Sequence, residues 1–387
     1  MSDVSCRILV VFVDALGPSQ LARFGNRLAI LPHRRTLRGI LGYSSGALPT
    51  ILTGAPPSIH GRMCLFSRNI DEDGGILSPL SILGLLPSSI HERRSVRRLA
   101  AAALAKYSNI SGYLALHRVP PRAFQWLDVP EREDLFQAEA IGAARTFLAD
   151  ARAAGLSVFT ADWKLNEAKR WSEAFSTLST LQPDLTFLYS AELDAHLHQF
   201  GNASRRTEPV LTVIADRIRR AQELLAKDGR SLMTIVVGDH GMAEVHRTID
   251  PRPLATQIEA EQSFIDSTMW RFWGPESTLA TTRKKLESSL IGGSWFDLRA
   301  LRSRGVPVIG APFAQALWLL PEGAIFAPSW VGGNARGMHG YDLGTQSSLA
   351  ALGSNDEAIS TCNALTDVAA VIRKRLGLGV PQKKGFS

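Results

Sequence analysis

Cysteine is scarce in this chain. Of 387 residues only Cys6, Cys64 and Cys362 are cysteine. They are far apart and odd in number, so they form no disulfide framework and no CxxC zinc pattern, which points to a reducing, cytoplasmic setting. Long apolar runs are missing too. No stretch reaches the roughly 18 apolar residues of a membrane span. The leading MSDVSCRILVVFVDALG has a short apolar run with no basic region before it, so it lacks the layout of a secretory signal. The arginines are scattered, with no aromatic residues interleaved for base stacking, which argues against a nucleic-acid partner. A net charge of +7 suits an anionic small-molecule substrate at least as well. No internal repeat and no low-complexity tract is found, and the oligomeric state is left open.

What is present is ample apolar material, 45% of the chain. It is enough for a large core, and the length exceeds one typical domain. RILVVFVD (7–14), LSVFTAD (156–162), DLTFLYS (184–190) and LMTIVVGD (232–239) read as strands, with QALWLLP (315–321) as a further one. Their apolarity is continuous rather than alternating, which predicts a parallel sheet covered on both faces. Helical periodicity puts Leu135, Ala138, Ile141, Ala144 and Phe147 on one face over 134–154. It does the same for Leu211, Ile214, Ile218 and Leu224 over 207–227. The expected fold is α/β, with a mostly parallel central sheet and helices on both faces.

Residues 1–387 read as one catalytic domain. Two stretches fit the alternation poorly, 62–126 and 247–335, and read as inserted regions covering a site on the sheet. The first holds ILSPLSILGLLP and then the basic, helix-like HERRSVRRLAAAALAKY. Beside Arg93, Arg94, Arg97 and Arg98, that apolar run reads as a lid for an acidic, greasy-tailed substrate or as a membrane-facing surface. The simpler reading is a covering subdomain with a solvated basic face. The tail after Leu378, GVPQKKGFS, is expected to be loose.

Seven side chains carry the chemistry: Asp14, Ser44, Asp194, His198, Asp239, His240 and His339. Asp14 ends the first strand, where open α/β sheets bind ligands. Asp194 and His198 follow a later strand at a spacing of four, which puts both on one helical face. Asp239, His240 and Gly241 end another strand, and the glycine is expected to permit a sharp turn. His339 lies in the glycine-flanked GMHGYD. Singly, each has a bland reading as a cap, a surface pair or a loop histidine. Together, carboxylates and imidazoles are the ligands zinc prefers. Two such cations can clamp the attacking and leaving oxygens of a displacement at phosphorus.

The order and spacing of these residues resemble the alkaline-phosphatase superfamily, nearest its nucleotide pyrophosphatase/phosphodiesterase-like branch. That resemblance implies a phosphoester hydrolase with two divalent metals, zinc first, with manganese or magnesium as alternatives. It assigns Asp14, Asp239 and His240 to one metal together with the nucleophile oxygen, and Asp194, His198 and His339 to the other. In GYSSGALPTILTGAPPSIHG the family nucleophile lies nine residues before the Thr of TG. Counting back from Thr53 gives Ser44, with Ser45 its competitor. Ser44 also suits the start of a helix, whose amino end favours an anionic phosphate.

One departure stands out. Nucleotide pyrophosphatases carry an asparagine shortly after the HG, where this chain has Leu65. Arg62, Ser67, Arg68 and Asn69 are the nearby candidates to substitute for it. No sulfatase C/S-x-P-x-R signature is present. The long interval from His240 to His339 departs from the cofactor-independent mutases and favours a hydrolase. The alternatives left open are a phosphotransferase or mutase, a phosphonate hydrolase, or a non-catalytic metal-binding protein. His60, His196 and His246 read as structural or peripheral, and Trp270 and Trp273 as packing groups.

Overall fold

The structure is a computed structural model that describes residues 6–70 and 75–379. In chain order its principal strands are β1 (Cys6–Val13), β2 (His33–Leu37), β3 (Val158–Thr160), β4 (Leu185–Ser190), β5 (Ser231–Val237), β6 (Gln262–Ile265), β7 (Met269–Trp273), β8 (Ser294–Phe296), β9 (Ala316–Leu319) and β10 (Ala350–Ser354). Six of them form the central sheet in the order β2-β10-β5-β1-β4-β3. β1 pairs in parallel with β4 and β5, and β4 with β3. β10 alone is reversed, antiparallel to both β2 and β5.

The continuous apolar strands are explained by burial on both sides. Along β1, Ile8, Val10 and Phe12 enter one core while Leu9, Val11 and Val13 enter the other. The first core is closed by α2 (Ser44–Thr53), α4 (Phe147–Ala153) and α9 (Val368–Arg375). The second is closed by α1 (Pro18–Phe24), α5 (Glu167–Thr180) and α7 (Thr207–Leu225). Of the remaining helices used below, α3 spans Arg94–Tyr107, α6 Glu192–Phe200 and α8 Glu276–Ser288. Helices thus cover both faces, as the pattern predicts.

Two expectations need correcting. The helix read over 134–154 forms only from Phe147 to Ala153. Upstream the chain folds into a tight hairpin, Ala140–Ile141 paired with Ala144–Arg145. Gly142 takes a left-handed φ of 55° there, which breaks the helical path. Thr146 then caps the true start by accepting from the Ala149 N–H at 3.0 Å. The QALWLLP strand does form, as β9, but in a second sheet. That sheet is antiparallel in the order β6-β7-β9-β8 and lies within residues 247–335.

Residues 62–126 build a small core of Phe66, Leu77, Leu80, Leu104 and Phe124 that reaches Phe264 and Trp273 of the second sheet. Arg271 on β7 fastens the two regions. Its guanidinium is fully buried, pairs with Asp266 at 2.6 Å and donates to the carbonyls of Phe66 at 2.9 Å and Phe313 at 3.2 Å. Its planar head also packs 4.3 Å from the Phe264 ring. Trp270 and Trp273 are packing groups, both essentially buried. Among the described residues no helix is long and apolar enough to cross a membrane. The tail expected to be loose lies, from residue 380 on, outside the described residues.

Candidate metal-dependent active site

Three parallel strands deliver the acids. β1 runs directly into Asp14, β4 leads into α6 with Asp194 and His198, and β5 leads through Gly238 to Asp239 and His240. All therefore gather beyond the carboxyl ends of the sheet, where ligands of open α/β folds bind. His339 comes from a loop after β9 and completes the cluster. Its ring stacks on His240 with centroids 3.6 Å apart, and it lies 5.2 Å from the His198 ring.

Local structure explains these positions. Asp194 and His198 sit one turn apart on α6, with His198 Nε2 3.2 Å from Asp194 Oδ1. Gly238 is needed because a Cβ there would lie 2.1 Å from the Leu16 carbonyl oxygen. Gly340 has φ +87° and its hydrogen faces the Tyr43 ring, where a Cβ would approach to 2.6 Å. Gly241 does not have the role expected of it. Its φ is not left-handed, and a Cβ there would meet only ordinary contacts at 3.5 Å. The turn is made elsewhere, at Ala15, whose φ of 62° is costly for a non-glycine residue. That strain aims the Ala15 N–H at Asp239 Oδ1, 3.0 Å away.

Asp239 Oδ1 also accepts from the His240 N–H at 3.0 Å, while its Oδ2 is buried without a hydrogen-bond partner. Asp194 Oδ1 and His339 Nδ1 are orphaned in the same way. His198 and His240 each hold a backbone carbonyl through Nδ1, Gly337 and Gly241, both at 2.8 Å. This fixes the tautomer and leaves Nε2 of each ring turned to the cluster.

Ser44 opens α2, and its Oγ lies 3.2 Å from Asp14 Oδ1 and 3.1 Å from His240 Nε2. Ser45 turns away and donates to the Met63 carbonyl at 3.3 Å. His60 is buried in the core beneath α2. Its Nδ1 accepts from the Arg62 N–H at 3.1 Å, and its Nε2 meets Thr50 Oγ1 at 2.9 Å.

The electrostatics call for positive charge. Burial, then Asp239 and Asp194, push the Asp14 carboxyl well above its ordinary range. Burial alone would keep His240 neutral, but Asp239, Asp14 and Asp194 outweigh it and carry the imidazole to about 10. Burial and then the neighbouring His240 and His198 hold His339 well below its ordinary value. No lysine or arginine is among the described residues lining the adjoining cavity. Two buried carboxylates and the half-buried Asp194, three imidazoles and three orphaned polar atoms fit divalent cations bound through N and O donors. The ligand atoms of Asp194, His198 and His339 all lie within 4.8 Å of one another, as do those of Asp14, Asp194 and His240. Asp194 thus borders both groups.

The cavity beside the cluster measures about 580 Å³. Its walls include Leu65, Tyr113, Phe136, Trp163 and Tyr189, with Glu131, Ser267 and Asn334 as polar points. Leu65 faces it, as the departure in sequence implied. Arg62, Ser67, Arg68 and Asn69 do not line it. Ser67 and Arg68 are occupied in a short strand paired with Leu127 and Asp128. Asn334 supplies a side-chain amide from a different loop. Tyr189 escaped the sequence reading. Its hydroxyl donates to Asp14 Oδ2 at 3.1 Å. The signal was a phenol breaking the apolar run at the carboxyl end of DLTFLYS. His196 packs on Phe200 with centroids 4.6 Å apart, and His246 is exposed, both apart from the cavity.

Residues 108–289 match the family model described as Type I phosphodiesterase / nucleotide pyrophosphatase. Over that span, a little under half of the chain, it is similar to phosphoric ester hydrolases of the nucleotide pyrophosphatase/phosphodiesterase type. The matched span holds Asp194, His198, Asp239 and His240, while Asp14, Ser44 and His339 lie outside it. No curated protein sequence matches the chain. Among solved structures the phosphodiesterase-type fold is shared with murine ectonucleotide pyrophosphatase / phosphodiesterase 5, at 14% identity and a TM-score of 0.66, covering 98% of this chain and 97% of that one. The human counterpart gives 13% identity and 0.64, covering 97% of each chain. An inactive form of the murine protein in complex with AMP gives 15% and 0.66, covering 98% of this chain and 97% of that one. At these identities the likeness is one of fold.

Proposed function

We propose that this enzyme hydrolyses phosphodiesters through Ser44, with two divalent cations, zinc first, held by the six flanking ligands. The observation that carries the proposal is the Ser44 hydroxyl between Asp14 Oδ1 and His240 Nε2, at 3.2 and 3.1 Å, at the amino end of α2. Asp14, Asp239 and His240 would hold one cation together with Ser44 Oγ. Asp194, His198 and His339 would hold the other. When bound, such cations lower the pKa of the serine hydroxyl and neutralise charge on the phosphoryl and leaving oxygens.

The chain's own groups account for the rest. Tyr189 holds Oδ2 of Asp14, so that Oδ1 stays turned to Ser44. The Nδ1 bonds of His198 and His240 fix both rings before substrate arrives. Ser44 Oγ forms a bond to phosphorus, the ester bond opposite breaks, and an alcohol leaves. Water then cleaves the Ser44–phosphorus bond, regenerating the hydroxyl and releasing a phosphomonoester. The amino end of α2 favours the anionic phosphoryl group throughout. A diester is favoured over a monoester because a second phosphate charge calls for a cationic side chain, and none lines the cavity among the described residues. The apolar walls give the second ester substituent room.

The test pairs Ser44→Ala with Ser45→Ala. Ser44→Ala should lower turnover of a chromogenic diester by at least about 1000-fold with metal content unchanged. Ser45→Ala should keep most activity. An active Ser44→Ala enzyme would remove the assignment. Release of the phosphomonoester, with no new diester formed on added acceptor alcohols, separates hydrolysis from phosphotransfer.

A further inference from the structure

Residues 62–126 have a packed core of their own, yet one part of them leaves large apolar side chains in solvent. Ile82 is 64% exposed, Leu85 83% and Leu99 74%, with Leu86 and Ile90 at 40% and 39%. All five fall between residues 82 and 99. From Gly84 to Ser95 every residue is exposed except His91, which is half-buried. A run that projects in this way has no partner within the chain among the described residues.

The run is built, not frayed. Ser88–His91 is a single helical turn wedged between the 3-10 stretch Ser78–Leu85 and α3. Arg97 points inward and anchors it, donating from Nε to the His91 carbonyl at 2.9 Å and from Nη1 to the Val119 carbonyl at 2.6 Å. Arg93, Arg94, Arg98 and Lys106 are exposed, against Glu92 as the one exposed acid between residues 84 and 107. The apolar tip is therefore continuous in sequence with a basic rim. The same subdomain supplies Leu65, Tyr113 and His117 to the substrate cavity.

We infer that residues 82–99 form a membrane-docking tip for bilayers carrying anionic lipids. Reversible binding of this kind needs two signals, apolar insertion plus basic attraction, and the tip carries both. A symmetric pairing of two copies through this face would set Arg93, Arg94 and Arg98 against themselves. An anionic surface complements them instead. The inference stands on this surface and not on the chemistry at Ser44.

The experiment is co-sedimentation of the full chain with vesicles of phosphatidylcholine, with and without phosphatidylglycerol. The mixed vesicles should bind at least about 10-fold better, and high salt should weaken binding. Ile82→Ser with Leu85→Ser, and separately Arg93→Gln with Arg94→Gln, should each lower binding about 10-fold. Both variants should keep the wild-type circular-dichroism melt, since none of these side chains enters the core. Failure to bind, equal binding to uncharged vesicles, or a concentration-dependent dimer abolished by Leu85→Ser would each overturn the inference.

Discussion

Tyr189 donates its hydroxyl hydrogen to Asp14 Oδ2 at 3.1 Å, across the gap between two neighbouring parallel strands. Asp14 Oδ1, on the other side of the same carboxylate, faces Ser44 Oγ. One phenol therefore sets the angle at which the acid meets the proposed nucleophile. A hydrogen bond to a charged group contributes about 1.5–3 kcal/mol, so Tyr189→Phe should lower kcat/KM about 10- to 100-fold. Steady-state assays on a chromogenic diester check this, and an unchanged rate would mean Asp14 is held by other contacts.

Cation removal is the second prediction. Three carboxylates share a buried site in which Asp14 is already pushed upward by burial and by its neighbours. Chelation should abolish turnover and lower Tm, because a ligand bound only by the folded state stabilises it. About two equivalents of zinc should restore both. Metal analysis of Asp194→Asn should show impaired loading at both positions, since Asp194 borders both ligand groups.

His60 gives a pH-dependent stability. Burial, then Arg62, lowers its pKa to about 3. A histidine that stays neutral when folded contributes stability that is full above its unfolded value, about 6.5, and is lost as pH falls below it. Between pH 7 and pH 5 the loss amounts to about 2 kcal/mol. Denaturant titrations at the two pH values should show it, and His60→Asn should flatten the difference.

Arg271 and Asp266 form the fourth test. Both side chains are almost fully buried, and burial pushes the Asp266 carboxyl upward despite its partner. Arg271→Met strands that carboxyl and should cost about 3–5 kcal/mol. Adding Asp266→Asn should recover part of the loss. Strict additivity in the double-mutant cycle would contradict direct coupling.

The central sheet was legible because its strands are buried on both faces, so RILVVFVD and LMTIVVGD show as unbroken apolar runs. The six proposed ligand residues were legible because they end or closely follow those strands, or sit in a glycine-flanked loop. The false helix over 134–146 came from apolar spacing alone. Nothing in the spacing discloses that Gly142 turns the chain against the His60 carbonyl, where a Cβ would lie 2.7 Å away. The cavity wall was hidden for another reason. Tyr113, Trp163 and Asn334 come from separate loops, and only tertiary packing brings such groups together. Ser44 and Ser45 are adjacent and chemically identical. The backbone at the start of α2, not their type, turns one toward the acids and the other toward Met63.

The buried guanidinium of Arg271 grips one carbonyl from each of the two added regions, at Phe66 and at Phe313. A buried, charge-assisted clamp of this kind ties together two regions that both wall the cavity. Leu65 and Tyr113 from one region and residues 331–335 from the other line the same space, so a change at Arg271 is expected to reach the cavity without touching it.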